Sequence, residues 1–342
     1  MPRRSTLEDI AAAAGVSLST LDRIVNRRGA VKRATIEHVL VAAERLGYHG
    51  VPVIRQRLME GAPSKTFGFL LNQRDRSLYA QLANGLTQRV RLSQRVQGRA
   101  VVHHLQDLDP QGMAQALEAL GEECDAIGAV LLDHPLVREA VGRLASRGVP
   151  VWAMFSDLST PDRAGFVGSD ALKMGRSAGW FIHQLCPPQG RVMMLIGAPG
   201  YRAHQGYDRG LRQALAERHS RLEVLDTRHT FESDTEARRI VEREVPRHDD
   251  LVALVIAGGG VEGAVAALTP EQRGRLIILG TELSDAVNRC LKDGTLDVVL
   301  SHPVERVVED LVGAMEDTVL PCGFQGPAFR EVPIEIRIRE SF

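Results

Sequence analysis

From Lys65 onward, the sequence alternates between short apolar runs and longer amphipathic stretches. About nine runs have the length and composition of buried strands: Phe67–Leu71, Ala100–His103, Ala126–Leu132, Val149–Phe155, Arg191–Ile196, Leu222–Asp226, Leu251–Ile256, Leu276–Leu279 and Val298–Leu300. Short buried strands that alternate with helices predict parallel sheets covered by helices on both faces. Because so many strands exceed one ordinary sheet, the pattern predicts an α/β core with two sheets.

The first fifty residues follow an all-helical pattern instead. Thr6 precedes an apolar series at helical spacing, Gly15 marks a tight turn, and Ser17 precedes a second short helix. A third helix is predicted over Arg33–Leu46. The second helix leaves polar and exposed positions near its start, namely Leu18, Ser19, Asp22 and Arg23. This layout predicts a helix-turn-helix DNA reader at residues 1–50, and a helical bundle that binds no nucleic acid is the alternative.

The charge of the chain is unevenly distributed. Residues 1–61 contain ten arginines and lysines and six acids, a net charge of +4, whereas the whole chain carries -1. The remaining residues therefore carry −5. A basic head on an acidic body suits a phosphate-binding module, although a solvated charged face would give the same count.

The segment from Thr6 to Asn26 reads TLEDIAAAAGVSLSTLDRIVN. It resembles the DNA-binding head of the lactose-repressor (LacI/GalR) family, whose usual pattern is close to TxxD[IV]AxxAGVSxxTVSR[VI][LV]N. The resemblance implies base contacts in the major groove for Leu18, Ser19 and Arg23, and sugar-phosphate contacts for Thr6, Ser17, Thr20 and Asn26. An arginine at position 23 can pair with O6 and N7 of a guanine.

Two positions depart from the family pattern. The usual serine is Asp22 here. An acid near phosphates is unfavourable unless it orients Arg23 or accepts a hydrogen bond from a cytosine amine. The family also has a hinge, expected here at residues 51–64, with a short helix whose leucine wedges into the minor groove. Leu58 is the candidate wedge, although it lies one residue late relative to Tyr48, and Pro52 can begin the helix.

The remainder of the chain, residues 65–342, resembles the periplasmic-binding-protein-like core of the same family. Matching landmarks include CDAI, GVPVW, VGSD and ILGTE at Cys124–Ile127, Gly148–Trp152, Val167–Asp170 and Ile278–Glu282. The resemblance implies two Rossmann-like lobes with parallel sheets, joined by three crossing strands around a ligand cleft. The first lobe is expected at about 65–164 and 298–322, and the second at about 165–295 and 323–342.

Candidate effector-binding residues lie mainly where strands end, because ligands bind at the carboxyl ends of strands in such sheets. They are Asn72, Arg74, Asp75, Tyr79, Asp133, Asp157, Asp170, Tyr207, Glu282 and His302. Carboxylates suit sugars and polyols because each accepts hydrogen bonds from neighbouring hydroxyls, and a tyrosine ring can lie against a sugar face. A solvated loop acid or a helix cap is the alternative for each acid.

A dinucleotide fingerprint provides a competing interpretation. Gly258–Gly263 matches GxGxxG between a predicted strand and a helix, and Glu282 follows 22 residues after Gly260. An NAD-dependent enzyme is therefore the second hypothesis. A free sugar-binding protein is the third, but the DNA-reading head and the lack of a signal peptide oppose it.

The sequence as a whole predicts a cytoplasmic transcription regulator. No apolar run approaches the ~20 residues of a membrane span. The cysteines Cys124, Cys186, Cys290 and Cys322 match no metal spacing and are expected to be buried or half-buried reduced thiols. We expect no enzymatic activity, no catalytic residue, no cofactor and no metal.

The expected partners follow from the family. We expect a homodimeric repressor that binds a palindromic operator in double-stranded DNA, and a small ligand that closes the two lobes. A sugar or polyol is favoured as the effector, and a nucleoside or another small metabolite is the alternative.

Overall fold

A computed structural model describes residues 5–320 and 326–342. The chain divides into two compact units, of which the first is Met1–Lys65 with Val90–Arg99 and the second is Thr66–Arg89 with Ala100–Phe342. The segment predicted as a hinge therefore belongs to the same unit as the head.

Within its described residues, the first unit contains four helices: α1 (Leu7–Ala14), α2 (Leu18–Val25), α3 (Arg33–Arg45) and α4 (Val51–Met59). Thr6 caps α1 in a reciprocal capping box with Asp9, and Gly15 ends that helix with a φ of 63°. Ser17 caps α2. These local signals explain why the predicted helix-turn-helix forms at the expected residues.

Helix α4 is part of the core of this unit. It packs against α2 and α3, and its Ile54 and Leu58 are buried in one apolar cluster with Leu21 of α2 and Leu40 of α3. Leu58 is only 3% exposed. This placement differs from the exposed wedge expected from the sequence, because the apolar side chain is satisfied by the packing of its own unit.

The second unit contains two sheets, whose strands are numbered in chain order. Among the described residues, the first sheet has the order β12-β5-β4-β3-β1-β2 and the second the order β13-β11-β10-β9-β6-β7, with β8 paired to β6. The first sheet consists of β1 (Ser64–Leu71), β2 (Gln97–His104), β3 (Ala126–Ala129), β4 (Val151–Met154), β5 (Gly165–Gly168) and β12 (Ala328–Glu331). The second consists of β6 (Gln189–Ile196), β7 (Arg221–Val224), β8 (Arg228–His229), β9 (Leu251–Ala257), β10 (Ile277–Gly280), β11 (Val298–Ser301) and β13 (Glu335–Ile338).

The helices of the second unit follow the strands in alternation, as predicted. They are α5 (Ser77–Arg91), α6 (Pro110–Gly121), α7 (Pro135–Ser146), α8 (Ala171–Leu185), α9 (Arg202–Glu217), α10 (Asp234–Glu244), α11 (Val261–Ala266), α12 (Pro270–Arg275), α13 (Asp285–Lys292) and α14 (Val304–Val319). Every residue of β3, β4 and β5 is buried. This burial is typical of parallel strands covered on both faces.

The strand pairing corrects the predicted lobe boundaries. β5 and β12 pair in the first sheet, although their residues were expected in the second lobe. β11 pairs with β10 and β13 in the second sheet, although it was expected in the first lobe. The chain therefore crosses between the lobes after β5, after β11 and after β12, a few residues beyond the first two predicted boundaries and about nine beyond the third.

Two expectations from composition concern cysteines and membranes. Cys124 is buried, and Cys186 and Cys290 are half-buried, as expected. Cys322 lies outside the described residues. Among the described residues, none of the helices combines the length and the apolarity that crossing a bilayer requires.

Candidate functional site

The start of α2 presents its side chains to solvent. The backbone N–H of Thr20 donates to the Ser17 hydroxyl at 3.1 Å, which fixes the first turn. Leu18 is 49% exposed, and Ser19 and Arg23 are exposed as well. The side chains expected to contact base edges are therefore available on one helix end.

Several residues expected to hold the DNA backbone are engaged in local hydrogen bonds. The Asn26 amide donates to the Asp22 carboxylate at 2.6 Å. The Ser17 and Thr20 hydroxyls lie 2.9 Å apart, and the Thr6 hydroxyl donates to Asp9 at 2.8 Å. Asp22 thus orients Asn26 on α2, whereas the sequence suggested Arg23 as its partner.

A cavity opens between the two lobes of the second unit, at the carboxyl ends of strands from both sheets. It encloses about 670 Å³ of space not occupied by atoms, including space open to solvent. Its lining residues are Arg76, Leu78, Tyr79, Val130, Phe155, Ser156, Ala171, Met174, Tyr201, Ala203, His204, Tyr207, Glu232, Ala257, Gly258, Thr281, Glu282 and His302.

Arg76 bridges the two lobes across this cavity. It follows β1 in the first lobe, and its guanidinium donates to Glu232 at 2.5 Å and also to Glu282, both in the second lobe. The backbone N–H of Gly259 donates to the same Glu232 carboxylate at 2.8 Å. A Cβ at Gly259 would lie 2.4 Å from the Arg76 guanidinium, so the glycine makes room for this close approach.

Two carboxylates share one guanidinium, and their pKa values move in opposite directions. Burial, together with the nearby charge of Glu232, raises the pKa of Glu282 to about 7 against the pull of Arg76. Burial alone would raise the pKa of Glu232 too, but His204, Arg76 and the Gly259 N–H hold it below its usual value. Glu232 is therefore the ionised partner at neutral pH, while Glu282 titrates there.

Asn72 anchors two tyrosines from opposite lobes. Its buried amide donates to the Tyr79 hydroxyl at 3.0 Å and to the Tyr201 hydroxyl at 2.6 Å. Burial raises the pKa of both phenols, so each keeps a proton that it can donate. The predicted residues Asn72 and Tyr79 thus meet at the site, although Asn72 acts through the tyrosines.

Three buried polar atoms at the site have no hydrogen-bond partner among the described residues: Asn72 Oδ1, Glu232 Oε1 and the Tyr207 hydroxyl. Their side chains are 2%, 8% and 3% exposed. Buried polar groups are nearly always paired in native proteins. Of these residues, Glu232 and Tyr207 line the cavity, and Glu232 Oε1 lies 3.7 Å from His204 Nε2, within ion-pair distance.

His302 lies at the back of the cavity as a neutral ring. Burial lowers its pKa to about 4, and its Nδ1 accepts from the Ser169 N–H at 3.2 Å. The proton of the neutral ring is then on Nε2, which can act as a donor. The ring centroid lies 4.7 Å from that of Phe155.

Six of the predicted effector residues do not line this cavity, namely Asn72, which bonds to Tyr79 and Tyr201, and five others. Arg74 and Asp75 are exposed, and Asp75 borders a neighbouring depression. Asp133 bonds to Arg138, Ser159 and Arg202. Asp157 forms a two-point ion pair with Arg163, and Asp170 caps α8 through the Lys173 N–H. For Asp133, Asp157 and Asp170, these hydrogen bonds, ion pairs and the helix cap account for the carboxylate without a ligand.

Among the cavity residues that sequence reasoning missed are four whose side chains are polar or charged, Arg76, Tyr201, His204 and Glu232. Arg76 lies two residues beyond Arg74, so the correct loop was identified with the wrong arginine. The other three lie in loops or at a helix start of the second lobe. Only the fold brings them to the cavity, and no sequence motif points to them.

The glycine-rich turn lies between β9 and α11, as the fingerprint predicts. Gly258 and Gly260 have φ values of 97° and 103°. However, the Gly259 N–H, which would face a phosphate in a dinucleotide site, already donates to Glu232. In this turn the Gly259 N–H is thus engaged by Glu232, which also pairs with Arg76 of the other lobe.

Comparison with known sequences agrees with both units. The family model described as "Bacterial regulatory proteins, lacI family" matches residues 6–50. A second family model, described as "Periplasmic binding protein domain", matches residues 67–312, which is more than half of the chain. The chain belongs to the LacI family. Its two matched segments correspond to the helical head and to the two-lobed core.

The LacI-family relatives include regulators from several bacteria. The maltose regulon regulatory protein MalI of Escherichia coli is 31% identical over 121 residues, 34% of this chain and 33% of that protein. The transcriptional regulator DegA of Bacillus subtilis is 22% identical over 249 residues, 71% of each chain. The aligned part thus spans about a third of MalI.

Solved structures confirm the fold of the core. A solute binding protein of Burkholderia graminis in complex with D-arabinose superimposes with a TM-score of 0.73 and 17% identity, over 82% of this chain and 98% of that chain. One from Bacillus halodurans with bound myo-inositol gives 0.71 and 18%, over 82% and 97%. At these identities, the likeness confirms the two-lobed fold alone.

Proposed function

We propose that this LacI-family protein is a ligand-responsive transcription regulator, most simply a repressor. The observation that carries the proposal is the exposed start of α2, where Leu18, Ser19 and Arg23 lie free for a DNA groove. The helix-turn-helix places such a helix in the major groove, where it contacts base edges. Because operator DNA lies in the cytoplasm, we expect the protein to act there.

Arg23 is the proposed main base reader. Among the described residues, no carboxylate pairs with it, so its guanidinium is available for the O6 and N7 atoms of a guanine. The Asp22 carboxylate accepts a hydrogen bond from the Asn26 amide, so it is engaged within the head. This geometry reduces the conflict that an acid would create at a phosphate surface.

A homodimer on a palindromic operator follows from the size of the reader. One α2 helix covers a few base pairs, and symmetric pairs of heads reach useful specificity by binding two half-sites. Family membership supports this arrangement.

The proposed effector is a small carbohydrate or polyol bound in the cavity between the lobes. Its hydroxyls can exchange hydrogen bonds with polar side chains that line the cavity, such as Ser156, Thr281 and Glu282. The sugar and cyclitol complexes of proteins with the same core fold support this class. A ligand that contacts both lobes favours the closed arrangement only through its differential affinity for it.

Binding-site selection from random double-stranded DNA with the full chain tests the proposal. We expect enrichment of a palindromic sequence. Adding sugars and polyols one at a time to the selected DNA complex should then reveal a compound that changes its dissociation constant. A chain that enriches no sequence, and binds NAD tightly, would instead support the enzyme hypothesis.

A further inference from the structure

Charged side chains of the chain itself join the two lobes. Arg76 belongs to the first lobe, and its guanidinium pairs with Glu232 and Glu282 of the second lobe. All three side chains are largely buried. His204 Nε2 also lies 3.7 Å from Glu232, but it belongs to the second lobe, so within this cluster Arg76 alone comes from the first. Removing one partner from a buried ion pair is strongly unfavourable, because the remaining charge is left uncompensated.

The second lobe concentrates acids around this guanidinium. Glu232 and Glu282 lie in the same lobe and close enough to act on each other electrostatically, and Asp234 and Glu262 also oppose the ionisation of Glu282. Separation of the lobes would withdraw Arg76 and leave the ionised acids to repel one another. The charge distribution therefore favours the arrangement in which the lobes are closed.

The segment that carries Glu232 is held in a conformation that presents its carboxylate to the first lobe. Phe231 and Glu232 have φ values of 50° and 63°, in the left-handed region that non-glycine residues rarely adopt. The Phe231 N–H donates to the Gly197 carbonyl at 2.8 Å, and the Thr230 hydroxyl donates to the Gly259 carbonyl at 2.7 Å. Backbone strain of this kind concentrates at functional sites, where the surrounding contacts maintain it. The second lobe is thus pre-organised to receive the guanidinium.

We propose that the cluster of Arg76, Glu232 and Glu282 is a clasp that keeps the two lobes closed whether or not an effector is bound. The chain supplies both sides of the clasp, so its strength does not depend on a ligand. Arg76 is then a positioning residue, which sets the distance between the lobes. The effector of the proposed regulator, on which this last step rests, does not have to supply the free energy of closure.

Two backbone amides that bridge the lobes report directly on closure. The Asp133 N–H of the first lobe donates to the Gly200 carbonyl of the second lobe at 2.9 Å. The Ala203 N–H of the second lobe donates to the Ser156 hydroxyl of the first lobe at 3.3 Å. Both hydrogen bonds break when the lobes separate. The Ile127 N–H of β3 is bonded within its own lobe, so its exchange with solvent reports on the fold of that lobe instead.

Hydrogen exchange at these amides, measured on the full chain without added sugars or polyols, tests the clasp. Arg76→Gln removes both ion pairs, so exchange at Asp133 and Ala203 should become roughly tenfold faster or more, while exchange at Ile127 stays unchanged. Arg76→Lys keeps the charge but not the fork of donors and should retain part of the protection. Arg74→Gln is the matched control, because Arg74 is exposed in the same loop, and it should change none of the three amides.

Equal exchange at Asp133 and Ala203 in the wild type and in Arg76→Gln would overturn the proposal. Uniform acceleration that includes Ile127 would overturn it too, because Arg76 would then stabilise the whole fold. If Arg76→Gln does not fold, Glu232→Gln decides in the same way: it removes one ion pair and should give a smaller acceleration at the same two amides. These measurements involve no DNA, so a chain that enriches no DNA sequence would reject the proposed regulator and leave the clasp intact.

Discussion

Glu282 offers a quantitative test of the electrostatics in the cavity. Its carboxylate shares Arg76 with Glu232, and its neighbours Asp234 and Glu262 oppose its ionisation. The perturbation is Glu282→Gln, which keeps an oxygen that can accept from Arg76 and removes the titrating group. The prediction concerns how the free energy of unfolding of the core changes with pH.

The magnitude follows from the pKa of Glu282, which rises from an ordinary 4.5 to about 7 in the folded protein. At ~1.36 kcal/mol per pH unit, this interval corresponds to about 3 kcal/mol. Because the folded state holds the proton more tightly, the unfolded chain releases it first as the pH rises. The contribution of Glu282 to stability therefore falls by about 3 kcal/mol between pH 4.5 and 7.

Urea unfolding of both proteins, followed by the fluorescence of the buried Trp152, measures this effect. Relative to the wild type, Glu282→Gln should gain about 3 kcal/mol of stability as the pH is raised across that interval. Glu271→Gln is the control, because Glu271 is exposed on α12 in the same lobe, and its difference from wild type should stay nearly constant. A pH-independent difference for Glu282→Gln would refute the reasoning.

Three further substitutions test the packing of buried residues and the hydrogen bonding of buried polar groups. Tyr207→Phe removes a buried hydroxyl without a partner, so urea unfolding should show equal or up to ~1 kcal/mol greater stability, while calorimetry shows weaker effector binding. Gly259→Ala places a Cβ 2.4 Å from the Arg76 guanidinium and should break the link between the lobes, which small-angle scattering would detect as a larger radius of gyration. Leu58→Ala should destabilise the head by about 2–5 kcal/mol and speed amide exchange in α4. Unchanged exchange in α4 would argue that Leu58 is not a core residue.

The head was predictable because its signals are local. The caps of Thr6 and Ser17 and the turn at Gly15 each act within three or four residues, so short sequence patterns identify them. The packing of α4 was not predictable in the same way. Whether Leu58 faces its own head or a DNA groove depends on contacts with residues such as Leu21, more than thirty positions earlier.

The cavity was predictable only in part. The alternation of strands and helices located the carboxyl ends of the strands correctly, and Tyr79, Tyr207, Glu282 and His302 indeed line the cavity. The partners of Arg76, however, lie 156 and 206 residues away. No local pattern records such a pairing, which depends on how two separate sheets face each other.

The acids that missed the cavity show the limit of the strand-end rule. Asp157 and Asp170 both follow strands, as the rule requires, but each carboxylate is satisfied nearby, by Arg163 and by the first turn of α8. A residue at a strand end can therefore point into the cavity or turn back to cap a helix. The sequence does not distinguish these because both uses favour the same residue types.

The most direct test of the DNA-reading role is the binding of Arg23→Ala to the selected operator and to a scrambled duplex, measured by fluorescence anisotropy at one salt concentration. The substitution should cost about 1–3 kcal/mol on the operator and little on the scrambled duplex. Arg238→Ala, which removes an exposed arginine from α10 in the core, controls for net charge and should change neither. Equal losses on both duplexes for Arg23→Ala would contradict base reading by α2.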